Sequence, residues 1–303
     1  MSADEPLLCD AIVAMVHKRA CTVLYEGAYW RCKVADGAFR DVDNAMVVGD
    51  HVRFLPDDKG GGVVYRTNER TTRLVRMREG RQRRAGAGRE HVLAANIDRA
   101  VIVAATTRPT FRMKLIDRYL VMCQYGGIAP VICINKCDLD TPPDLGAYDL
   151  LDVPVVHTSA QTGEGIDELR ALLVGRFSVF CGHSGVGKSS LTNRLLGREA
   201  MEIQEVREHD GRGRHTTTVS TLFPIEGGGY IVDTPGIRSW GLWEVDAETL
   251  KDYFPEFGDR SDSCHFRDCK HTVEPYCAVR EAVDSGELPR QRYLSYLRML
   301  ADE

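Results

Sequence analysis

The residues with the clearest capacity for chemistry are Gly182, His183, Ser184, Gly185, Val186, Gly187, Lys188 and Ser189, followed by Ser190. They fit G-x-x-x-x-G-K-[ST], a spacing that lets backbone N–H groups converge on phosphate oxygens. Lys188 then reaches the β and γ oxygens, and Ser189 ligates Mg²⁺. The string stands directly after the apolar run FSVFC (177–181) and opens a helix-compatible run, SSLTNRLLG. Strand, glycine loop and helix N-terminus in that order specify a nucleoside triphosphate site.

Three further signals fix which nucleotide. Asp233-Thr234-Pro235-Gly236 follows the strand GGYIV, so Asp233 would hold Mg²⁺ through water and the Gly236 N–H would sense the γ-phosphate. Asn135-Lys136-Cys137-Asp138 closes the strand PVICI. The Asp138 carboxylate can accept from both the ring N–H and the exocyclic amine of guanine, whereas adenine would leave it buried and unpaired. Lys136 can lie over the base plane, and Asn135 can tie the loop to the phosphate side. Ser159-Ala160, after VPVVH, adds a backbone N–H for the guanine oxygen. Together these predict a GTPase. A phosphoryl-transfer enzyme or ATPase built on the same phosphate loop is the alternative that Asp138 opposes.

The order of these signals is unusual. Ras-like GTPases place the phosphate loop first and the guanine reader late. Here residues 135–138 and 159–160 precede the loop at 182, and 233–236 come last. The sheet is therefore expected to be circularly permuted.

A second cluster lies near the C-terminus: Cys264, Cys269, His271 and Cys277, spaced C-x4-C-x-H-x5-C. Three thiolates and one imidazole make a closed tetrahedral Zn²⁺ site, one per monomer, structural because no position stays open for water. A group of buried free thiols is the alternative, and His265 is a competing ligand. The other seven cysteines are scattered, mostly on apolar strands, and read as core.

These residues need elements to hold them. The chain has 303 residues, 43% apolar and 27% charged, which is the balance of a soluble globular protein of two or three domains. No apolar run reaches the ~18 residues needed to span a bilayer. The start, MSADEPLLCD, lacks a signal-peptide pattern, and ten cysteines without an export signal indicate a reducing compartment, the cytoplasm. Short β-branched and aromatic runs broken by glycine turns predict an OB-like β-barrel over 1–70, with an SH3-like barrel or open sheet as alternatives. Tyr25, Tyr29, Trp30, Arg31 and Lys33 could give it an RNA-binding face. Residues 71–92 read as a basic linker or insert. Nine arginines face three glutamates between Arg66 and Glu90, in a chain whose formal net charge is −5. From 93 to 244 strand–helix alternation predicts a doubly wound α/β GTPase domain. Residues 245–303 read as a helical zinc-binding domain, with Tyr293, Tyr296, Leu297 and Leu300 marking one face of the last helix.

The small barrel, NKCD, SA, GHSGVGKS, the segment Gly213-Arg214-His215-Thr216-Thr217-Thr218, DTPG and the C-x4-C-x-H-x5-C pattern together resemble the ribosome-small-subunit-dependent GTPase A family. The likeness runs from about residue 11 to the C-terminus. It departs at 78–92, which is longer and more basic than expected between barrel and GTPase domain. The resemblance implies an OB-fold, a permuted GTPase domain and a C-terminal zinc domain. It implies a bacterial factor that binds GTP or GDP and the small ribosomal subunit with its rRNA late in assembly; separately, a monomer with no membrane association is expected. Hydrolysis would then be stimulated by that subunit. The place of the Ras-like water-orienting glutamine is Ile237, so the resemblance assigns that role to His215, with His183 second. One of Thr216, Thr217 and Thr218, with Thr217 preferred, would join Ser189 on Mg²⁺. A GTP-switched RNA-binding module without a remodelling role is the competing function.

Overall fold

The computed structural model of the chain describes residues 8–17, 20–35, 45–77, 90–196, 220–233 and 245–301. Strands β1 (Cys9–Val16), β2 (Ala20–Tyr25), β3 (Ala28–Val34), β4 (His51–Pro56) and β5 (Gly61–Thr67) form a ring. β1 pairs with β2, β2 with β3, β3 with β5, β5 with β4, and β4 with β1. Closure leaves these short strands no unpaired edge. The ring is the expected OB-like barrel.

Period-2 alternation decides which side chains fill it. Cys21, Val23, Cys32, Val52, Phe54 and Val64 face inward and are buried. Tyr25 and Trp30 pack edge-on against Phe54, with ring centroids 5.2 and 6.3 Å away. Tyr29, Arg31 and Lys33 occupy the outer face of β3. The expected aromatic-plus-basic face is therefore divided between core and surface.

A two-stranded hairpin, β6 (Arg73–Met77) and β7 (Glu90–Ala95), follows the barrel. Leu74, Val75 and Ala94 enter the core of the next layer. The stretch read as a linker from its charge thus includes paired strands; residues 78–89 of the arginine-rich insert lie outside the described residues.

The main sheet contains β8 (Arg99–Ala105), β9 (Ala129–Asn135), β10 (Val155–His157), β11 (Phe177–Cys181), β12 (Thr221–Pro224) and β13 (Tyr230–Asp233), in the order β10-β9-β8-β11-β13-β12. All neighbours are parallel except β12 and β13. Helix α1 (Met113–Gly126) covers one face, packing Ile116, Tyr119 and Leu120 on Ala100, Ile102, Ile132 and Ile134. Helices α2 (Ile166–Leu173) and α3 (Lys188–Leu195) cover the other, on Val101, Val103, Val131 and Cys133. Burial on both faces explains why the parallel strands read as continuous apolar runs. The barrel joins this sheet through the Met15–Thr221 pairing, and Asn96 Nδ2 donates to the Gly49 carbonyl at 2.8 Å.

From residue 245 the chain is mainly helical: a 3₁₀ turn at Leu250–Tyr253, then α4 (Gly258–Asp262), α5 (Ala278–Asp284) and α6 (Arg290–Ala301). Their core of Leu250, Phe254, Phe257, Val279, Tyr296 and Met299 also takes in Val121 of α1. The buried stripe of α6 is Arg292, Ser295, Tyr296 and Met299. It is rotated from the expected Tyr293–Tyr296–Leu297–Leu300 face, whose other three members pack at the core's margin.

Candidate functional site

β11 delivers the glycine loop to the end of the sheet, and two of its glycines are held by their neighbours. Gly182 has φ +137°, and a Cβ there would lie 2.2 Å from the Val103 carbonyl oxygen of β8. Gly187 has φ +99°, and its Cβ would lie 2.2 Å from Asn135 Nδ2. Both conformation and space exclude any other residue. Lys188 Nζ donates to the carbonyls of Gly182 and His183, each at 2.8 Å, so the ammonium closes over the loop from the start of α3. Ser189 and Ser190 are exposed on the first turn of α3, and Asp233 is exposed at the end of β13. An exposed hydroxyl and carboxylate are oxygen donors of the kind Mg²⁺ prefers.

Asn135 is the hub. Its Nδ2 donates to the Val186 carbonyl at 2.9 Å, and its Oδ1 accepts from the Ala160 N–H at 3.1 Å and the Thr158 hydroxyl at 3.3 Å. One buried side chain thus joins all three expected loops, 135–138, 159–160 and 182–189. Lys136 adopts a left-handed backbone, φ +66°, and its ammonium reaches the Arg108 carbonyl. Asp138 is exposed beside it. The Ser159 N–H is donated to the Glu164 carbonyl at 3.0 Å, so the serine shapes the turn. On the α1 side, the Tyr119 hydroxyl meets the Gly182 backbone, and burial pushes that hydroxyl up to about 12. His183 is exposed, its Nδ1 2.8 Å from the Ser184 carbonyl. His215, Thr216, Thr217, Thr218 and Gly236 lie outside the described residues.

The C-terminal cluster is assembled as expected. The ligand atoms of Cys264, Cys269, His271 and Cys277 all lie within 4.8 Å of one another. Cys264 and Cys277 Sγ are 3.9 Å apart, and His271 Nδ1 is 3.5 and 3.4 Å from them. Zinc bonds of ~2.3 Å to sulfur and ~2.0 Å to nitrogen give tetrahedral edges of about 3.8 Å (S to S) and about 3.5 Å (S to N). The residues therefore fit a tetrahedral metal ion. His271 Nε2 faces Ser261 Oγ at 3.3 Å, which orients the ring as an outer partner does in metal sites. Burial, then hydrogen bonding with Cys277, pushes the Cys269 thiol up to about 12; a divalent cation reverses this by stabilising thiolate. Glu274 braces the loop: its carboxylate accepts from the N–H groups of Lys270, Thr272 and Val273 at 2.8–3.0 Å. Of the seven other cysteines, five are buried and Cys9 and Cys137 are half-buried.

Sequence reasoning missed the link between these two centres. Arg292 of α6 is buried, donating from Nη1 to Asp117 of α1 at 2.5 Å and from Nε to Glu256 at 2.6 Å. Ser295 also donates to Asp117, and the guanidinium lies 4.8 Å from the Phe254 ring centroid. Arg292, Tyr296 and Met299 recur at helical spacing, so the arginine could have been found as a charge on an apolar stripe. Its partners could not.

The comparisons agree with this architecture. Residues 67–243 match the family described as RsgA GTPase. The small ribosomal subunit biogenesis GTPase RsgA of Chlorobaculum tepidum is 44% identical over 285 residues, 91% of each chain. That of Thermotoga maritima is 38% identical, covering 95% of this chain and 94% of its own. The crystal structure of YjeQ from Thermotoga maritima superposes with a TM-score of 0.77 at 35% identity, covering 98% of both chains. YloQ, described as a circularly permuted GTPase, gives 0.75 at 28% identity over 100% of this chain and 97% of its own. The similarity thus runs along nearly the whole chain, from the closed barrel through the permuted sheet to the C-terminal helices, and the chain belongs to the RsgA GTPase family, a family of GTP hydrolases.

Proposed function

We propose that this protein is a GTPase of small-ribosomal-subunit biogenesis, hydrolysing GTP to GDP and phosphate with stimulation by the subunit it helps to mature. The observation that carries it is the Asn135 junction, which gives one rigid unit a phosphate loop and a guanine-reading loop. The relatives' printed names supply the biological setting. Lys188 releases its loop carbonyls to reach the β and γ oxygens, and Asp138 accepts the two guanine donors. Ser189 and Thr217 would hold Mg²⁺, with Asp233 joining through water, and the ion would supply charge neutralisation at the phosphates when bound. The Gly236 N–H senses the γ-phosphate. His215 orients the attacking water, since Ile237 cannot. Zn²⁺ at Cys264, Cys269, His271 and Cys277 is structural: four protein ligands leave no open position.

The working assignment of domains is 1–70 for the barrel, 71–92 for the basic segment, 93–244 for the GTPase domain and 245–303 for the zinc domain. The outer barrel face with Tyr29, Arg31 and Lys33 offers stacking and charge to rRNA. No helix among the described residues is long and apolar enough to cross a membrane. A monomer in the cytoplasm suits a factor acting on one subunit at a time. The test is GTP turnover with and without small subunits, using large subunits and ATP as controls. Completing the catalytic site on the subunit should raise turnover on the order of 10³-fold. Equal rates with either subunit, or with none, would remove the ribosome assignment.

A further inference from the structure

Arg194 has no part in the nucleotide motifs, yet it grips the guanine loop. It sits in the last turn of α3, whose first residue is Lys188. Its Nε donates to the Ala160 carbonyl at 2.9 Å and its Nη2 to the Gln161 carbonyl at 2.8 Å. Those carbonyls belong to a single turn closed by the Gly163 N–H on the Ser159 carbonyl at 2.8 Å. On the amide side of that turn, the Ala160 N–H goes to Asn135 Oδ1 and the Thr162 N–H to Ser159 Oγ at 3.1 Å. The Gln161 N–H between them has no acceptor among the described residues. It shares a peptide plane with the Ala160 carbonyl and points the opposite way from it. Fixing that carbonyl on α3 therefore fixes the direction of the Gln161 N–H, away from α3.

We infer that Arg194 is a positioning residue for guanine recognition: by capping the Ala160 and Gln161 carbonyls it aims the Gln161 N–H at the 6-oxo group of the base. This rests on the guanine-nucleotide reading above and adds a residue to it. The arrangement also has a mechanical consequence. One helix carries the phosphate-binding Lys188 at one end and the clamp on the base loop at the other, about 9 Å along its axis. Displacement of α3 by the phosphates would be felt at the base.

The test is calorimetric titration of the full-length protein with GDP, 6-thioguanosine diphosphate and xanthosine diphosphate. Sulfur at position 6 weakens the acceptor while preserving the donors read by Asp138; xanthine loses the 2-amino donor but keeps the 6-oxo acceptor. Arg194→Met should shrink the preference for GDP over the 6-thio analogue roughly three- to tenfold, the scale of one hydrogen bond in a solvent-accessible place. The GDP-to-xanthosine-diphosphate ratio should stay put, and Arg194→Lys should retain part of the 6-position preference. An unchanged 6-thio ratio, or an equal loss for all three nucleotides, overturns the inference. Asp138→Asn in the same titrations keeps the two readings apart. If that variant fails to gain affinity for xanthosine diphosphate, the guanine assignment itself is wrong. If it gains and the Arg194 ratio does not move, only the role of Arg194 falls.

Discussion

Asn135 Nδ2 donates to the Val186 carbonyl at 2.9 Å, across 51 residues of chain. The bond joins the strand end proposed to read the base to the loop proposed to hold the phosphates. It is indifferent to chain order, which is why the permuted connectivity leaves the nucleotide site intact: the sheet order places β9, β8 and β11 side by side whichever is made first.

Asn135→Ala should therefore weaken both the fold and nucleotide binding. It leaves the Val186 carbonyl and the Ala160 N–H without their partner, each a loss of about 1–3 kcal/mol where buried. GDP affinity is expected to fall at least tenfold in a calorimetric titration. Gly187→Ala should match it, because the added Cβ would occupy the place of Asn135 Nδ2.

Arg292 sits between two carboxylates in the interior, so removing it strands both. Arg292→Ala should cost about 3–5 kcal/mol in urea unfolding, the usual penalty for an uncompensated buried charge. Ser295→Ala removes one donor to Asp117 and should cost about 1 kcal/mol. Equal effects from the two variants would show that the charge pairing contributes nothing beyond a hydrogen bond.

Glu274 predicts a specific acid sensitivity. Burial alone would raise its carboxyl, but the N–H donors of the ligand loop and the Thr272 hydroxyl outweigh that and hold it at about 2. A folded value below the ordinary 4.5 contributes stability above that pH and loses it as pH falls towards 2. The stability difference between the wild type and Glu274→Gln should be constant near neutrality and shrink across that window. A difference that does not change with pH would assign the brace to packing.

Metal removal should loosen the C-terminal helices before the GTPase sheet. Phe257 packs edge-on against the His271 ring at 5.6 Å, so the cluster and the helical core share contacts. Treatment with a strong zinc chelator, followed by metal analysis and hydrogen exchange, should release zinc and lower protection first in α5 and α6. Unchanged exchange there after complete metal loss would mean the core stands without the ion.

The expected strands β8, β9 and β11 are found where the apolar runs lie, because a strand buried on both faces has no polar positions to disguise it. β6 was hidden because Arg73 and Arg76 flank only two apolar residues and the register shift at Leu74–Val75 breaks its alternation. The face of α6 was displaced for a related reason. Periodicity marks apolar side chains, and it cannot anticipate that Arg292 and Ser295 turn inward because Asp117 awaits them.

Two local chemistries are written in the spacing of the chain. A glycine loop between strand and helix, and three cysteines with a histidine within fourteen residues, are set by backbone spacing over a turn or two, and no distant contact is needed to write them. Tertiary structure alone decided what connects them. Asn135 with Val186, Arg194 with the carbonyls of Ala160 and Gln161, and Arg292 with Asp117 are pairs 51, 34, 33 and 175 residues apart. A donor's type is readable in sequence, but its acceptor depends on which elements pack together, and that is settled by burial of whole faces rather than by neighbours along the chain.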